Sequence, residues 1–301
     1  MWQQVRALLE MIRFSHTLFA LPFALAGAAL AWHSRAVQSG VGFRWHEFAA
    51  ILLCMVFARS TAMAFNRLAD RQFDAANPRT AARHLVTGEL SVIAVWLFTL
   101  VCAGGFVVST LLFVFFDPPN PWPIRLALPV LFFICGYSYT KRFTALSHFW
   151  LGGSLLLAPV AAWIAIRQLE DLQVPAVLGL VVLFWVAGFD ILYACQDVEF
   201  DRKARLSSVP AKLGVPLALR VALGCHAVMV GLLLALYWVA APYLGVIYLV
   251  GVAAVAVLLA YEHWLVRPDD LTRVNRAFFH VNGVISVGLL VVVLVQLAVG
   301  W

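Results

Sequence analysis

The chain has 301 residues, 63% of them hydrophobic and 12% charged, against roughly 25% charged in an ordinary soluble domain. So apolar a composition excludes a water-soluble globular fold, and the formal charge of +6 needs no nucleic-acid partner once its distribution is followed along the chain. The five cysteines, Cys54, Cys102, Cys135, Cys195 and Cys225, show neither CxxC nor Cys/His ligand spacing and read as small apolar packing residues, not disulfide or zinc positions.

Crossing about 30 Å of hydrocarbon takes roughly 20 helical residues. Apolar runs of that order fall at 16–33, 47–66, 91–115, 123–140, 147–167, 174–195, 216–239, 242–265 and 278–300. They are continuous, without the period-two alternation of barrel strands, and so predict helices. The expected fold class is an all-α membrane protein with nine transmembrane helices. Ala24-Leu25-Ala26 mimics a cleavage site, but the first span is longer than a signal core and eight more follow it, which predicts a retained helix.

Basic residues in the connections set the orientation. The N-terminal segment and the loops after spans 2, 4, 6 and 8 carry Arg6, Arg13, Arg67, Arg71, Arg79, Arg83, Lys141, Arg142, Arg202, Lys203, Arg205, Lys212, Arg267, Arg273 and Arg276. The opposite side carries Arg35, Arg44, Arg125 and Arg167. The positive-inside rule places the N-terminus in the cytoplasm and the C-terminus outside. The reading is a single membrane-embedded domain over 1–301, with a pseudo-repeat of about 16–140 and 147–265 and a ninth helix at about 278–300.

Two acidic clusters close long apolar runs: Asn66-Arg67-Leu68-Ala69-Asp70-Arg71-Gln72-Phe73-Asp74 after span 2, and Asp197-Val198-Glu199-Phe200-Asp201 after span 6. On an uninterrupted helix Arg59, Asn66, Asp70 and Asp74 share one face, as do Asp190, Tyr193, Asp197 and Asp201. Glu199 points elsewhere, to solvent. Arg59 and Asp190 lie inside apolar spans, where an ionisable group is costly and marks a polar cavity. Oxygen-only acid clusters suit Mg²⁺, which takes one or two carboxylates while phosphate oxygens and water complete its octahedron. The neighbouring arginines and lysines suit phosphate. The pattern therefore predicts two Mg²⁺ ions holding a diphosphate.

The alternative is a secondary transporter with intramembrane acidic ion sites, whose acids belong near the bilayer midplane on interrupted helices. Here they stand at span ends beside basic loops, which favours an enzyme at the cytoplasmic face. A CDP-alcohol phosphotransferase also uses helix-end aspartates, but its DGxxAR opening is absent. Duller readings suffice elsewhere. His280, Asn282 and Ser286 read as interhelical hydrogen-bonding residues, Gly152-Gly153-Ser154 as close helix packing, and most of the aromatic side chains as lipid-facing surface and interface belt.

The segments NRLADRQFDAANPRTAAR and DILYACQDVEFDRKARLSSVPAKLG resemble the two signature loops of the UbiA superfamily of intramembrane aromatic prenyltransferases, and the span count matches along essentially the whole chain. That resemblance implies nine helices around a central cavity and transfer of an isoprenyl chain from its diphosphate to an aromatic acceptor, with Mg²⁺ at Asp70, Asp74, Asp197 and Asp201. It implies diphosphate contacts from Asn66, Arg67, Arg71, Arg79, Lys141, Arg142, Arg202 and Lys212. Asp190, Tyr193 and Lys141 become the catalytic candidates, and Arg13 and Arg59 the candidates for an acceptor carboxylate. One departure is Arg67, where many members carry an acid directly after the asparagine. Within the family, RFSHTLFALPFALAGA and the second loop look most like bacterial 4-hydroxybenzoate polyprenyltransferases, part of which are assigned to the futalosine route to menaquinone with 1,4-dihydroxy-6-naphthoate as acceptor. The implied setting is the bacterial inner membrane, in ubiquinone or menaquinone biosynthesis.

Overall fold

A computed structural model describes residues 2–12, 17–241, 243–268, 271, 274 and 277–299. Arg13, an expected acceptor-binding residue, lies outside them. Among the described residues the chain is helical, without β-strands. In chain order the helices are α1 (Trp2–Met11), α2 (Thr17–Ser39), α3 (Trp45–Ala69), α4 (Arg71–Ala76), α5 (His84–Thr87), α6 (Val92–Leu111) and α7 (Trp122–Thr140). They continue with α8 (Ser147–Arg167), α9 (Gln173–Ala194), α10 (Val198–Lys203), α11 (Val209–Leu213), α12 (Val215–Val239), α13 (Val246–Leu265) and α14 (Asn282–Val299). A 3₁₀ turn extends α6 over Leu112–Val114, another extends α9 over Cys195–Asp197, and a π-helical turn over Ala277–Val281 leads into α14.

Eight of these helices, or helices with their extensions, are long and apolar enough to cross a membrane, so the protein is an integral membrane protein. The long helix α2 is not among the eight. It runs past its apolar stretch, through His33, Ser34 and Arg35, to Ser39. The Arg35 guanidinium donates from Nε to the Val41 carbonyl at 3.0 Å and from Nη2 to the Gly42 carbonyl at 2.7 Å, closing the turn beyond the helix. Large rings stand outward at helix ends, as interface belts do: Trp45 opens α3 at 73% exposed and Trp238 nearly closes α12 at 75%.

The chain divides into two compact units, 1–17 with 46–140, and 18–45 with 141–301. In the first, Met11 and Ile12 at the end of α1 pack with Ala64 of α3, Leu85 of α5, and Leu90 and Val95 around the start of α6. Ser91 begins α6 by accepting the Ala94 amide at 3.1 Å, a side-chain N-cap.

In the second unit α9 is the centre, packed against α8 on one side and α12 on another. Trp185, Val186, Ala187 and Ile191 of this helix are completely buried. Close approach depends on glycine. A methyl group at Gly152 of α8 would run into the Leu183 carbonyl of α9, and one at Gly188 of α9 into the His226 ring of α12. The expectation of close packing at Gly152 therefore holds. Free cysteines are buried or half-buried throughout.

Polar groups in the same unit are paired across helices, as apolar surroundings demand. Trp185 Nε1 donates to Asn282 Oδ1 at 2.7 Å, and Asn282 Nδ2 donates to Glu262 Oε1 at 2.6 Å. His226 and His263 face each other at 2.9 Å between Nδ1 and Nε2. Asn282 is thus the interhelical residue the sequence predicts. Ser286 donates to the Gly283 carbonyl of its own helix at 3.1 Å, and His280 is exposed.

Candidate active site

Each acidic cluster forms a half-site within one unit. In the first, α3 ends at Ala69 and Asp70 takes φ −96° and ψ 7° before α4 begins. The uninterrupted helix assumed from the sequence is therefore broken at the motif's central acid. Helical bonding nevertheless carries across the break: the Asp70 amide donates to the Asn66 carbonyl at 2.9 Å and the Asp74 amide to the Asp70 carbonyl at 2.8 Å. Asn66 Nδ2 donates to Asp70 Oδ2 at 2.8 Å and reaches Ser138 Oγ of α7 at 3.4 Å, while Arg67 Nη1 donates to Asn66 Oδ1 at 3.3 Å. Asp74 is buried and pairs through Oδ2 with Arg83 Nη1 at 2.5 Å. Its carbonyl accepts the Thr80 hydroxyl at 3.0 Å, which folds the Asn77–Thr80 loop back onto α4.

The second half-site repeats this construction. After α9 the chain tightens into the 3₁₀ turn, Asp197 takes φ −102° and ψ 7°, and α10 follows. Neither Asp70 nor Asp197 caps the six-residue helix after it. Asp201, like Asp74, is the fourth residue of that helix and is buried at 3% exposure. It accepts the Ser208 hydroxyl through Oδ2 at 2.7 Å, and its carbonyl accepts the Leu206 amide at 2.8 Å. In both motifs, then, the first acid sits half-exposed at a helix break, and the second is buried and tethered by the returning loop.

Asp190 and Tyr193 lie further up α9 and are half-buried. Asp190 Oδ2 meets His148 Nδ1 at 2.6 Å. The Lys141 ammonium stands near enough to attract both the Asp190 and Asp201 carboxylates, and the Lys141 carbonyl accepts the Ser207 amide at 2.6 Å. Arg71, Arg79, Arg142, Arg202, Lys212 and Glu199 are exposed, whereas Arg67 is buried and Arg59 half-buried in α3. Arg202 is tied to α11 through Nε and the Ala211 carbonyl at 3.0 Å. Sequence reasoning passes over His148, Ser138 and Ser208. A histidine at the start of an apolar run is the available signal for the first, but its partner lies 42 positions away.

Among the described residues, no three His, Cys, Asp or Glu side chains gather into a metal cage. The first half-site offers instead carboxylate and carboxamide oxygens and the second carboxylate oxygens, each beside cationic side chains, a donor set for a hard cation shared with an anionic ligand.

Residues 20–284 match the UbiA prenyltransferase family. The chain is 33% identical over 242 residues to a 4-hydroxybenzoate octaprenyltransferase of Aromatoleum aromaticum, covering 79% of this chain and 78% of that one. Among solved structures, a UbiA homologue from Aeropyrum pernix K1 in its apo form superposes with a TM-score of 0.80 at 29% identity, covering 95% of this chain and 98% of the other. A UbiA homologue from Archaeoglobus fulgidus bound to GPP and Mg²⁺ shares the fold with a TM-score of 0.73 at 21% identity, covering 97% and 99%. The all-helical fold, the two acidic half-sites and these matches define an intramembrane prenyltransferase. The chain belongs to the UbiA prenyltransferase family.

Proposed function

We propose that the protein transfers an isoprenyl chain from its diphosphate to an aromatic hydroxy acid, in a Mg²⁺-dependent reaction at the cytoplasmic face of the bacterial inner membrane. The observation that carries the reading is the duplicated half-site. Two breaks of nearly identical backbone geometry each present one half-exposed and one tethered aspartate, on a chain of this family. Asp70 and Asp74 of the first half-site and Asp197 and Asp201 of the second would hold two Mg²⁺ ions, with Asn66 offering its carboxamide to the diphosphate. The names of curated relatives support 4-hydroxybenzoate as acceptor, with 1,4-dihydroxy-6-naphthoate as the second candidate. The helix α2 makes the ninth crossing, the N-terminus is cytoplasmic and the C-terminus external, and 1–301 acts as one catalytic domain built on a pseudo-repeat.

Bound Mg²⁺ neutralises charge on the diphosphate. Lys141, beside Asp190 and Asp201, meets the charge that grows on the departing pyrophosphate, and Arg67, Arg71, Arg79, Arg142, Arg202 and Lys212 hold its outer oxygens. Preorganised charge of this kind supplies most of the acceleration when a C–O bond ionises. The allylic cation is attacked by the ring carbon ortho to the acceptor hydroxyl, the new C–C bond replaces the broken C–O bond, and the ring proton leaves. Asp190 and Tyr193 orient the acceptor or take that proton. Arg59 and Arg13 receive its carboxylate. Water is kept from the cation by the apolar spans.

Purified protein incubated with geranyl or farnesyl diphosphate and each acceptor is expected to form prenylated acid and pyrophosphate. EDTA should stop both, and Mg²⁺ restore them. Pyrophosphate release that survives EDTA, or no product with either acid, would reject the proposal. Lys141→Ala is expected to lower kcat by about a hundredfold and weaken diphosphate binding together. Unchanged steady-state constants would leave Lys141 as a topology charge alone.

A further inference from the structure

His148 is completely buried at the second position of α8, and both ring nitrogens are committed. Nε2 accepts the backbone amide of Val209, the first residue of α11, at 3.2 Å. A nitrogen that accepts from an amide carries no proton, so in the neutral ring the proton sits on Nδ1. Nδ1 then donates to Asp190 Oδ2 at 2.6 Å. The Val209 amide thereby sets the tautomer, and the tautomer sets the bond to the carboxylate. The preceding residue, Ser208, donates its hydroxyl to Asp201 Oδ2 at 2.7 Å and accepts the Ala211 amide at 3.3 Å. A single buried ring therefore links the acid high on α9 to the loop that holds the second acid of the motif.

We infer that His148 is a positioning residue for prenyl transfer: held by the α11 amide, it fixes Asp190 with one oxygen engaged and the other turned to substrate, in register with Asp201. The inference rests on the proposed function. An exposed acid needs no such support. One held against desolvation needs a donor that does not wander, and a ring locked at both ends loses little freedom when the acid is used.

Two isosteric variants separate positioning from mere helix capping. His148→Asn places an amide nitrogen near the Nδ1 position and loses the Val209 bond, while His148→Gln reaches the Nε2 position and loses the Asp190 bond. Per folded protein, with folding checked by thermal unfolding in detergent, kcat of His148→Asn is expected to exceed that of His148→Gln by about tenfold or more. KM for geranyl diphosphate should be alike in the two. The double variant His148→Gln with Asp190→Asn should fall no lower than Asp190→Asn alone. A capping role predicts the reverse order, with His148→Gln the better enzyme, and that order, equal rates, or additive losses would overturn the inference. Wild-type protein that transfers no prenyl group to any aromatic acid would overturn the proposed function and this inference with it. An active wild type with indistinguishable Asn and Gln variants would overturn the positioning role alone.

Discussion

Asp197→Ala is expected to abolish prenyl transfer, with a loss of about a thousandfold or more in kcat, while the protein remains folded in detergent. The side chain sits half-exposed at the break between α9 and α10 and caps nothing, so its removal costs the helix no N-cap bond. Its place in the fold is held instead by neighbours: Asp201 through Ser208, and Asp190 through His148. The same substitution at Asp70 should be as damaging to turnover, and there Asn66 Nδ2 loses its 2.8 Å acceptor. The decisive measurement is product formation alongside a melting curve. Wild-type rates in Asp197→Ala would remove that residue from the diphosphate site, and a collapsed melting transition would make the residue structural.

Gly152→Ala carries the largest expected effect on stability. In an exposed helix interior, glycine to alanine gains about 1 kcal/mol from propensity. At Gly152 the new methyl would meet the Leu183 carbonyl, which is backbone of the neighbouring helix and cannot rotate away. Separating two packed helices costs about 1–3 kcal/mol, so the clash wins and the melting temperature should drop by several degrees. Gly231→Ala in α12 is the control, because nothing lies within 4 Å of a methyl there. It should leave the transition unmoved or raise it. If both variants behave alike, α8 and α9 do not depend on this contact. Since α9 also carries Asp190 and Asp197, the Gly152→Ala protein that remains folded should transfer prenyl groups more slowly.

The spans were legible because continuous apolar runs report hydrocarbon directly. The third is expected at 91–115 and is found over Val92–Val114, and the fifth, at 147–167, is found over Ser147–Arg167. The end of α2 was not legible: the apolar run stops near residue 33, but helical hydrogen bonding does not, and Arg35 closes it with backbone carbonyls further on. Nor were the breaks at Asp70 and Asp197. A four-residue spacing of polar groups fits an unbroken helix as well as a broken one, and the bonds from Asp70 and Asp74 amides that survive the break keep that spacing nearly intact. His148 escaped for a different reason. Its meaning lies in a carboxylate on α9 and an amide on α11, and no local periodicity encodes either. Glu262 and Trp185 are similar cases, since only the fold brings Asn282 between them.

That last arrangement has a bearing on assembly. Trp185, five positions before Asp190, is held by a side chain that leaves the ribosome almost a hundred residues later. Until α14 arrives, the indole and the Glu262 carboxyl have lost their shared partner in a medium that offers few substitutes. The final described helix thus works as a clasp: the scaffold beneath the second acidic cluster is finished only when the far end of the chain has entered the bilayer.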